Sequence, residues 1–283
     1  MRFKSLAAGV ALGALASMAT ASFAASENKN LTSIEKAASG TWRPAEEKAR
    51  DVYRHPVDSL AFWGIKPGMT ILEVQPGGGW WTNILAPYAR MTKSKFYATA
   101  PDISNPNASE GARKAREAYI QKFSDPAVYG TVNLVDWGKN AAPLPASKFD
   151  FVLVSREIHN WIPQGSLDKD LANIFAATKP GGVLAIEEHR AKPTQDPTTY
   201  NGYVPEAYMI EQAEKAGFKL AAKSEINANP KDDTNHPFGV WTLPPVRKSS
   251  DNGAPVDPSF DRAKYDAIGE SDRMTLRFVK PKK

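Results

Sequence analysis

Two sets of residues in this chain have the types and spacing that chemistry needs. The first is Gly77, Gly78 and Gly79, set behind Gln75 and Pro76 at the end of the apolar run Thr70 to Val74. Glycines let a chain turn sharply and let a ligand lie against the backbone with no Cβ between them. A helix opening just beyond them would offer unpaired N–H groups to a polar or anionic ligand part. The second set is the histidines: His55, His159, His189 and His236 all fall beside expected element ends. His159 and His189 each follow an expected strand, which places both to face a cleft at the carboxyl edge of a sheet. An imidazole with an ordinary pKa near roughly 6.5 suits a general base, and His159 is the candidate for that role. Its alternative role is a hydrogen-bonded residue that orients its loop. With Glu187 and Glu188 the two histidines also have the donor types for zinc or iron. No pair shows the His-x-x-x-His or His-Glu-x-x-His spacing of a metal motif, so no metal is expected.

These residues need elements to hold them. Residues 70–74 are rich in β-branched side chains, and a helical pattern starts at Trp80 and carries Ile84, Leu85 and Tyr88. Strand, glycine turn and helix form the first half of a nucleotide-binding unit. The loop is not a P-loop, because no Gly-Lys-Ser/Thr follows, and it lacks the Gly-x-Gly-x-x-Gly spacing of the dinucleotide fingerprint. Further strands are expected at 95–100, 131–135, 151–154, 183–187 and 218–226, alternating with helices at 109–123, 167–178 and 205–216. That alternation argues a parallel sheet with helices on both faces. In 273–279, Met274, Leu276 and Phe278 alternate with Thr275, Arg277 and Val279, the pattern of a half-buried strand antiparallel to its predecessor. Residues 228–260 are polar and Pro-rich and are expected to be loop. Helices at 26–37, 44–53 and 57–63 make an N-terminal lead, residues 25–66, which is expected to cap the cleft of the α/β core, residues 67–283. Of the adjacent Trp80 and Trp81, one is expected in the core and one on the cleft.

The chain opens Met1-Arg2-Phe3-Lys4, runs apolar and small to Ala16, and reaches Ser22-Phe23-Ala24 before its first acid, Glu27. A basic n-region, an apolar h-region and a small-residue cleavage site mark a secretory signal peptide, residues 1–24. Its loss would take the formal net charge from +5 to +3, because Arg2 and Lys4 leave with it. The protein is therefore expected to be exported and periplasmic, with no membrane span after cleavage. With no cysteine, neither a disulfide framework nor a thiolate metal site is available. The basic residues are scattered, so nucleic acid is not an expected partner.

The loop is similar to the first motif of class I S-adenosylmethionine-dependent methyltransferases: acid, any residue, Gly, any, Gly, any, Gly. Glu73, Gly77 and Gly79 match, and Gln75 stands where the first Gly would be. Asp136, Leu144-Pro145 and Phe149-Asp150-Phe151-Val152 resemble the same superfamily's segment from the third strand into the fourth. Leu171 and Lys179-Pro180-Gly181-Gly182-Val183-Leu184 resemble its approach to the fifth. The stretches Tyr53-Arg54-His55-Pro56, Ile158-His159-Asn160-Trp161, Glu188-His189-Arg190 and Asn227-Ala228-Asn229-Pro230-Lys231 look like a branch of exported bacterial predicted methyltransferases.

The resemblance implies a Rossmann-like class I methyltransferase fold, seven strands, mostly parallel, with a C-terminal antiparallel hairpin and an N-terminal helical lid. It also implies S-adenosylmethionine as cofactor. Gly77, Gly78 and Gly79 would pass under its methionine and ribose, Glu73 would orient the loop or meet the amino group, and Asp102 would hold the ribose hydroxyls. Asp136 would accept from the adenine amino group with Trp137 beside it. Trp80, Arg156, Glu157, Asn160, Trp161 and His189 would line the acceptor side, and His159 would be the catalytic base. The reading is methyl transfer to a small-molecule acceptor. The alternatives are an exported binding protein on the same fold without methyl transfer, and a metal-assisted hydrolase using His159 and His189. Oligomeric state is not legible.

Overall fold

The computed structural model describes residues 26–104, 108–251 and 253–282; the expected signal peptide lies outside them. The strands are β1 (Thr70–Val74), β2 (Lys95–Pro101), β3 (Val132–Trp137), β4 (Phe149–Ser155), β5 (Thr178–Ala191), β6 (Val204–Pro205), β7 (Lys219–Ser224) and β8 (Arg273–Val279). The N-terminal helices are α1 (26–38), α2 (Ala45–Lys48), α3 (Asp51–Arg54) and α4 (Pro56–Trp63). Within the sheet region follow α5 (Thr82–Met91), α6 (Glu110–Lys122), α7 (Pro126–Tyr129), α8 (Ile158–Trp161), α9 (Leu167–Ala177), α10 (Glu206–Lys215) and α11 (Arg262–Asp266). No helix among them is long and apolar enough to cross a membrane.

Seven strands run in the order β3-β2-β1-β4-β5-β8-β7, and the two-residue β6 adds an eighth beside the end of β5. β1 to β5 are mutually parallel, while β8 is antiparallel to both β5 and β7. Parallel strands covered on both faces need apolar residues at successive positions. Here the two-residue period sends them to two cores. Ile71, Phe151, Leu153 and Ala185 join one, and Leu72, Val74, Val152 and Ile186 the other.

β8 differs from the half-buried strand its sequence suggests. It is buried from Arg273 to Leu276, because it lies between β5 and β7 with α4 over its polar face. There Trp63 Nε1 donates to the Leu276 carbonyl at 3.1 Å, and Asn227 Nδ2 bridges Thr275 Oγ1 and Ser59 Oγ at 3.0 and 3.1 Å. The buried threonine hydroxyl is thus hydrogen-bonded within the protein rather than solvated.

The single helix expected over 44–53 is two short ones, α2 and α3, and the 228–260 segment, although largely irregular, buries Val240 and Leu243 around a 3₁₀ turn, Gly239–Thr242. α5 is buried along almost its whole length and contains Pro87. A proline inside a helix has no N–H for the carbonyl four residues earlier. That carbonyl, of Asn83, instead accepts from Trp42 Nε1 at 2.8 Å. Asn30 of α1 accepts from the Tyr88 hydroxyl of α5 at 2.6 Å. The N-terminal lead is therefore tied along α5, and its Glu47 and Arg50 reach the cleft at the carboxyl edge of the sheet.

Candidate active site

Two cavities open at that edge. The larger, about 920 Å³, lies over the ends of β1, β2 and β3 and is closed by Tyr119, Trp137 and Trp161. The smaller, about 330 Å³, lies over β4 and β5 beneath Glu47, Arg50 and the Val240–Val246 wall. They share Gln75, Pro76, Gly77 and Glu157.

Gln75 explains how the loop forms without the first glycine of the pattern. Its φ is +48°, the left-handed region that glycine favours. Its N–H donates to Thr99 Oγ1 at 2.7 Å, and its Oε1 accepts from Trp161 Nε1 at 2.5 Å. Two hydrogen bonds offset the backbone strain. The three glycines then have separate jobs. Gly77, φ +54°, faces open space and borders both cavities. Gly78 also faces open space but borders only the smaller cavity. Gly79, φ +79°, borders neither; a Cβ there would stand 2.3 Å from the Phe123 ring. Glu73 is buried beneath the loop, where its carboxylate accepts from Thr82 Oγ1 at 2.6 Å, and burial pushes its pKa up to about 8. It ties β1 to α5 and borders neither cavity.

The two acids of the resemblance are not brought to the cavity wall. Asp102 follows β2, and its carboxylate accepts from the Ser104 N–H and hydroxyl at 2.9 and 2.6 Å. Asp136 is directed to Arg116, at 2.6 Å, while the next residue, Trp137, faces the cavity and lies 5.9 Å from Trp161 between ring centroids. The period of two along β3 separates these neighbours. Trp161, expected on the acceptor side, borders the larger cavity instead, because its indole is drawn to Gln75. Asn160 borders neither and donates to Glu157 at 3.2 Å.

On the smaller cavity are Trp80, Arg156, Glu157, His159 and His189. Trp81 is the core tryptophan, 2 % exposed. The Trp80 ring already carries the guanidinium groups of Arg54 and Arg43, 4.7 and 5.1 Å from its centroid, so its cation partners come from the protein itself. Burial lifts Glu157 to about 7. His159 Nδ1 bonds Glu188 Oε1 at 2.9 Å. Burial alone would lower the pKa of His159, but Glu188 overrides it and holds the imidazole above its ordinary range. His189 is held well below it, by burial and then by His159, Arg273 and Arg156.

His159, Glu188 and His189 stand close enough to share a metal. Their surroundings disfavour one. The Glu188 carboxylate already accepts from the Ile158 and His189 N–H groups at 2.7 and 2.8 Å as well as bonding His159. The same arginines that keep His189 neutral would repel a dication. Residues that sequence reasoning passed over include Thr99, Arg116, Tyr119, Glu47 and Arg50. Thr99 was findable, as the polar residue in an apolar strand end; Arg50 belongs to a helix far from the motifs.

With this geometry in place, comparison with known proteins is informative. The methyltransferase-domain family profile matches residues 45–223, more than half of the chain. A ubiquinone/menaquinone biosynthesis C-methyltransferase UbiE from Shewanella piezotolerans is 30% identical over 135 residues, 47% of each chain. The UbiE of Pasteurella multocida is 28% identical over 176 residues, 60% of each chain. The chain thus spans about half to three-fifths of the length of these curated relatives. Among solved structures, the [4+2]-cyclase SpnF aligns with TM-score 0.51 at 14% identity, over 87% of this chain and 85% of its own, a likeness of fold. From the profile match and the strand order together, the chain belongs to the methyltransferase-domain family and has the fold of the class I S-adenosylmethionine-dependent methyltransferases.

Proposed function

We propose that this protein is an exported S-adenosylmethionine-dependent methyltransferase acting on a small acceptor molecule. The observation that carries the reading is the pair of cavities meeting at Gln75, Pro76, Gly77 and Glu157. The larger has room for a nucleoside-bearing methyl donor, backbone exposed at Gly77 where a Cβ would otherwise stand, and the Trp137 and Tyr119 rings as walls, so its residues fit that group. When bound, S-adenosylmethionine supplies an electrophilic methyl group. This chain's residues then position the acceptor, which is the larger part of such catalysis. Arg156 and Glu157 hold the acceptor in the smaller cavity, Trp80 and Trp241 exclude water, and His159, oriented by Glu188, takes the proton from an oxygen or nitrogen nucleophile. Export rests on the basic start, apolar run and small-residue site of residues 1–24.

Isothermal titration of the mature chain with S-adenosylmethionine and S-adenosylhomocysteine tests the reading. Micromolar binding that is lost in Gly77→Val supports it; no heat from folded protein at millimolar ligand rejects it in favour of a binding protein for another molecule. N-terminal sequencing of protein from a periplasmic extract should begin at Ala25, and an intact Met1 terminus in the cytosol would refute export.

A further inference from the structure

The smaller cavity has an excess of positive charge that the protein does not neutralise. Arg50, Arg54 and Arg273 converge on Glu270, with Arg50 Nε at 2.5 Å and Arg54 Nε at 2.9 Å, and Arg273 also reaches Glu187 at 3.0 Å. Arg156 stands against the same group, feeling Glu187, Arg273, Glu270 and Arg50. Three arginines therefore share two carboxylates, and a fourth, Arg156, lies beside them. Among the described residues Arg156 makes no ion pair; its one side-chain hydrogen bond is from Nε to Ser155 Oγ at 3.5 Å. The terminal nitrogens of Arg54, a residue 0 % exposed, have no hydrogen-bond partner at all. Arg54 is paired through Nε alone and lies against the Trp80 ring behind the cavity wall, so its charge adds to the field there without touching a ligand.

The remaining carboxyl groups at the cavity do not cancel the excess. Glu47 is engaged by Lys122 at 3.2 Å and Asn83 at 2.7 Å, Glu188 by His159, and Glu157, its pKa lifted by burial to about 7, is only about half ionised at pH 7. Arg156 also has φ +59°, uncommon for a residue with a side chain, and its N–H donates to the Glu187 carbonyl at 2.7 Å. That strained turn at the end of β4 presents the guanidinium to the cavity.

We propose that the acceptor of this protein carries an oxyanion, a carboxylate or a phosphate group, which Arg156 binds in the smaller cavity with Arg50 and Arg54 behind it. The inference deepens the methyltransferase reading by giving the acceptor its chemical class. A planar guanidinium pairs two oxygens of either group at once. Trp80, Val240, Trp241 and Pro244 provide apolar walls for the rest of a small molecule.

The test titrates the mature chain with sodium benzoate and with inorganic phosphate, each against sodium chloride at equal ionic strength, following tryptophan fluorescence with and without saturating S-adenosylhomocysteine. Saturable binding above the chloride control is expected for at least one anion. It should weaken about tenfold or more in Arg156→Met, the loss of a charge-assisted pair, and be partly kept in Arg156→Lys. Benzoate alone identifies a carboxylate acceptor, and phosphate alone a phosphate ester. Circular dichroism and the melting temperature establish that each variant folds, and Arg50→Met, at a partly exposed position, gives the same reading should Arg156→Met not fold. Absence of saturable binding by both anions, or undiminished binding in both methionine variants, overturns the proposal. Anion binding without S-adenosylhomocysteine binding would sink the methyl-donor reading and leave this one standing.

Discussion

The two cavities are built in opposite ways. The larger is made from one continuous turn and the ends of three adjacent strands, held by backbone conformation and hydrogen bonds: Gln75 in a left-handed turn, Thr99 receiving its N–H, Trp161 closing on its side chain. The smaller is backed by a charge group, only Arg50 of which is on its wall, gathered from segments far apart in the chain. Arg50 and Arg54 meet Glu270 across 220 and 216 positions, and Arg273 meets Glu187 across 86. A site of the first kind rests mainly on backbone conformation and neutral hydrogen bonds, so removing one side chain leaves no buried charge unbalanced. A site of the second kind fails when one charge is removed, because its neighbours are left buried and unbalanced.

The largest effect is expected at that charge group. Glu270 is 2 % exposed, and although burial raises its pKa, Arg273, Arg54 and Arg50 bring it to about 2. Glu270→Gln should destabilise the fold by about 3–5 kcal/mol in urea unfolding. The sign with pH is fixed. A depressed pKa gives stability that is complete above 4.5 and lost as pH falls toward about 2, so the variant should lose that part of its acid sensitivity. Equal acid profiles for the two proteins would remove Glu270 from the centre of the group.

The glycine turn offers the contrasting test. Gly79→Ala puts a methyl 2.3 Å from the Phe123 ring at a φ of +79° and should cost about 1–3 kcal/mol. Gly78→Ala meets open space and should change stability by less than about 0.5 kcal/mol. If the two variants unfold alike, backbone geometry does not govern the turn. A smaller effect belongs to the seam between the lead and α5. Trp42→Phe withdraws the indole N–H from the carbonyl that Pro87 leaves free and should cost about 1 kcal/mol, read from the same unfolding curves.

The subtlest change is in titration. Glu188 holds the His159 pKa above 6.5 against the effect of burial, so Glu188→Gln should move the His159 ring titration, followed by NMR, to lower pH. In the parent protein the contribution of this pair to stability is complete below 6.5 and fades as pH rises through the raised value. The base role proposed for His159 needs the neutral ring, so the methyl-transfer rate should rise with pH through that same value and rise earlier in the variant. An unmoved titration would separate Glu188 from the imidazole.

Much of the fold was readable in order along the chain. The β-branched run before Gly77, the helix over 109–123 and the strand over 273–279 are local signals and they hold, although β8 is more buried than its alternation suggests. The site was legible in part. His159, His189, Arg156 and Glu157 gather as the strand ends require, whereas Asp102 and Asp136 are drawn to Ser104 and Arg116. A motif position specifies where the backbone goes; it does not specify which nearby donor will take the carboxylate.

The sequence by itself determined the alternation of strands and helices, the glycine turn after β1 and the reversed last strand, because side-chain periodicity and backbone conformational preference act over a few residues. Only the tertiary structure decided that Gln75 would take a glycine-like conformation, that β8 would be buried on both faces, and that Arg50, Arg54 and Arg273 would share Glu187 and Glu270 with Arg156 beside them. Those outcomes depend on desolvation and on charges brought together from distant segments, and both quantities exist only once the chain has folded.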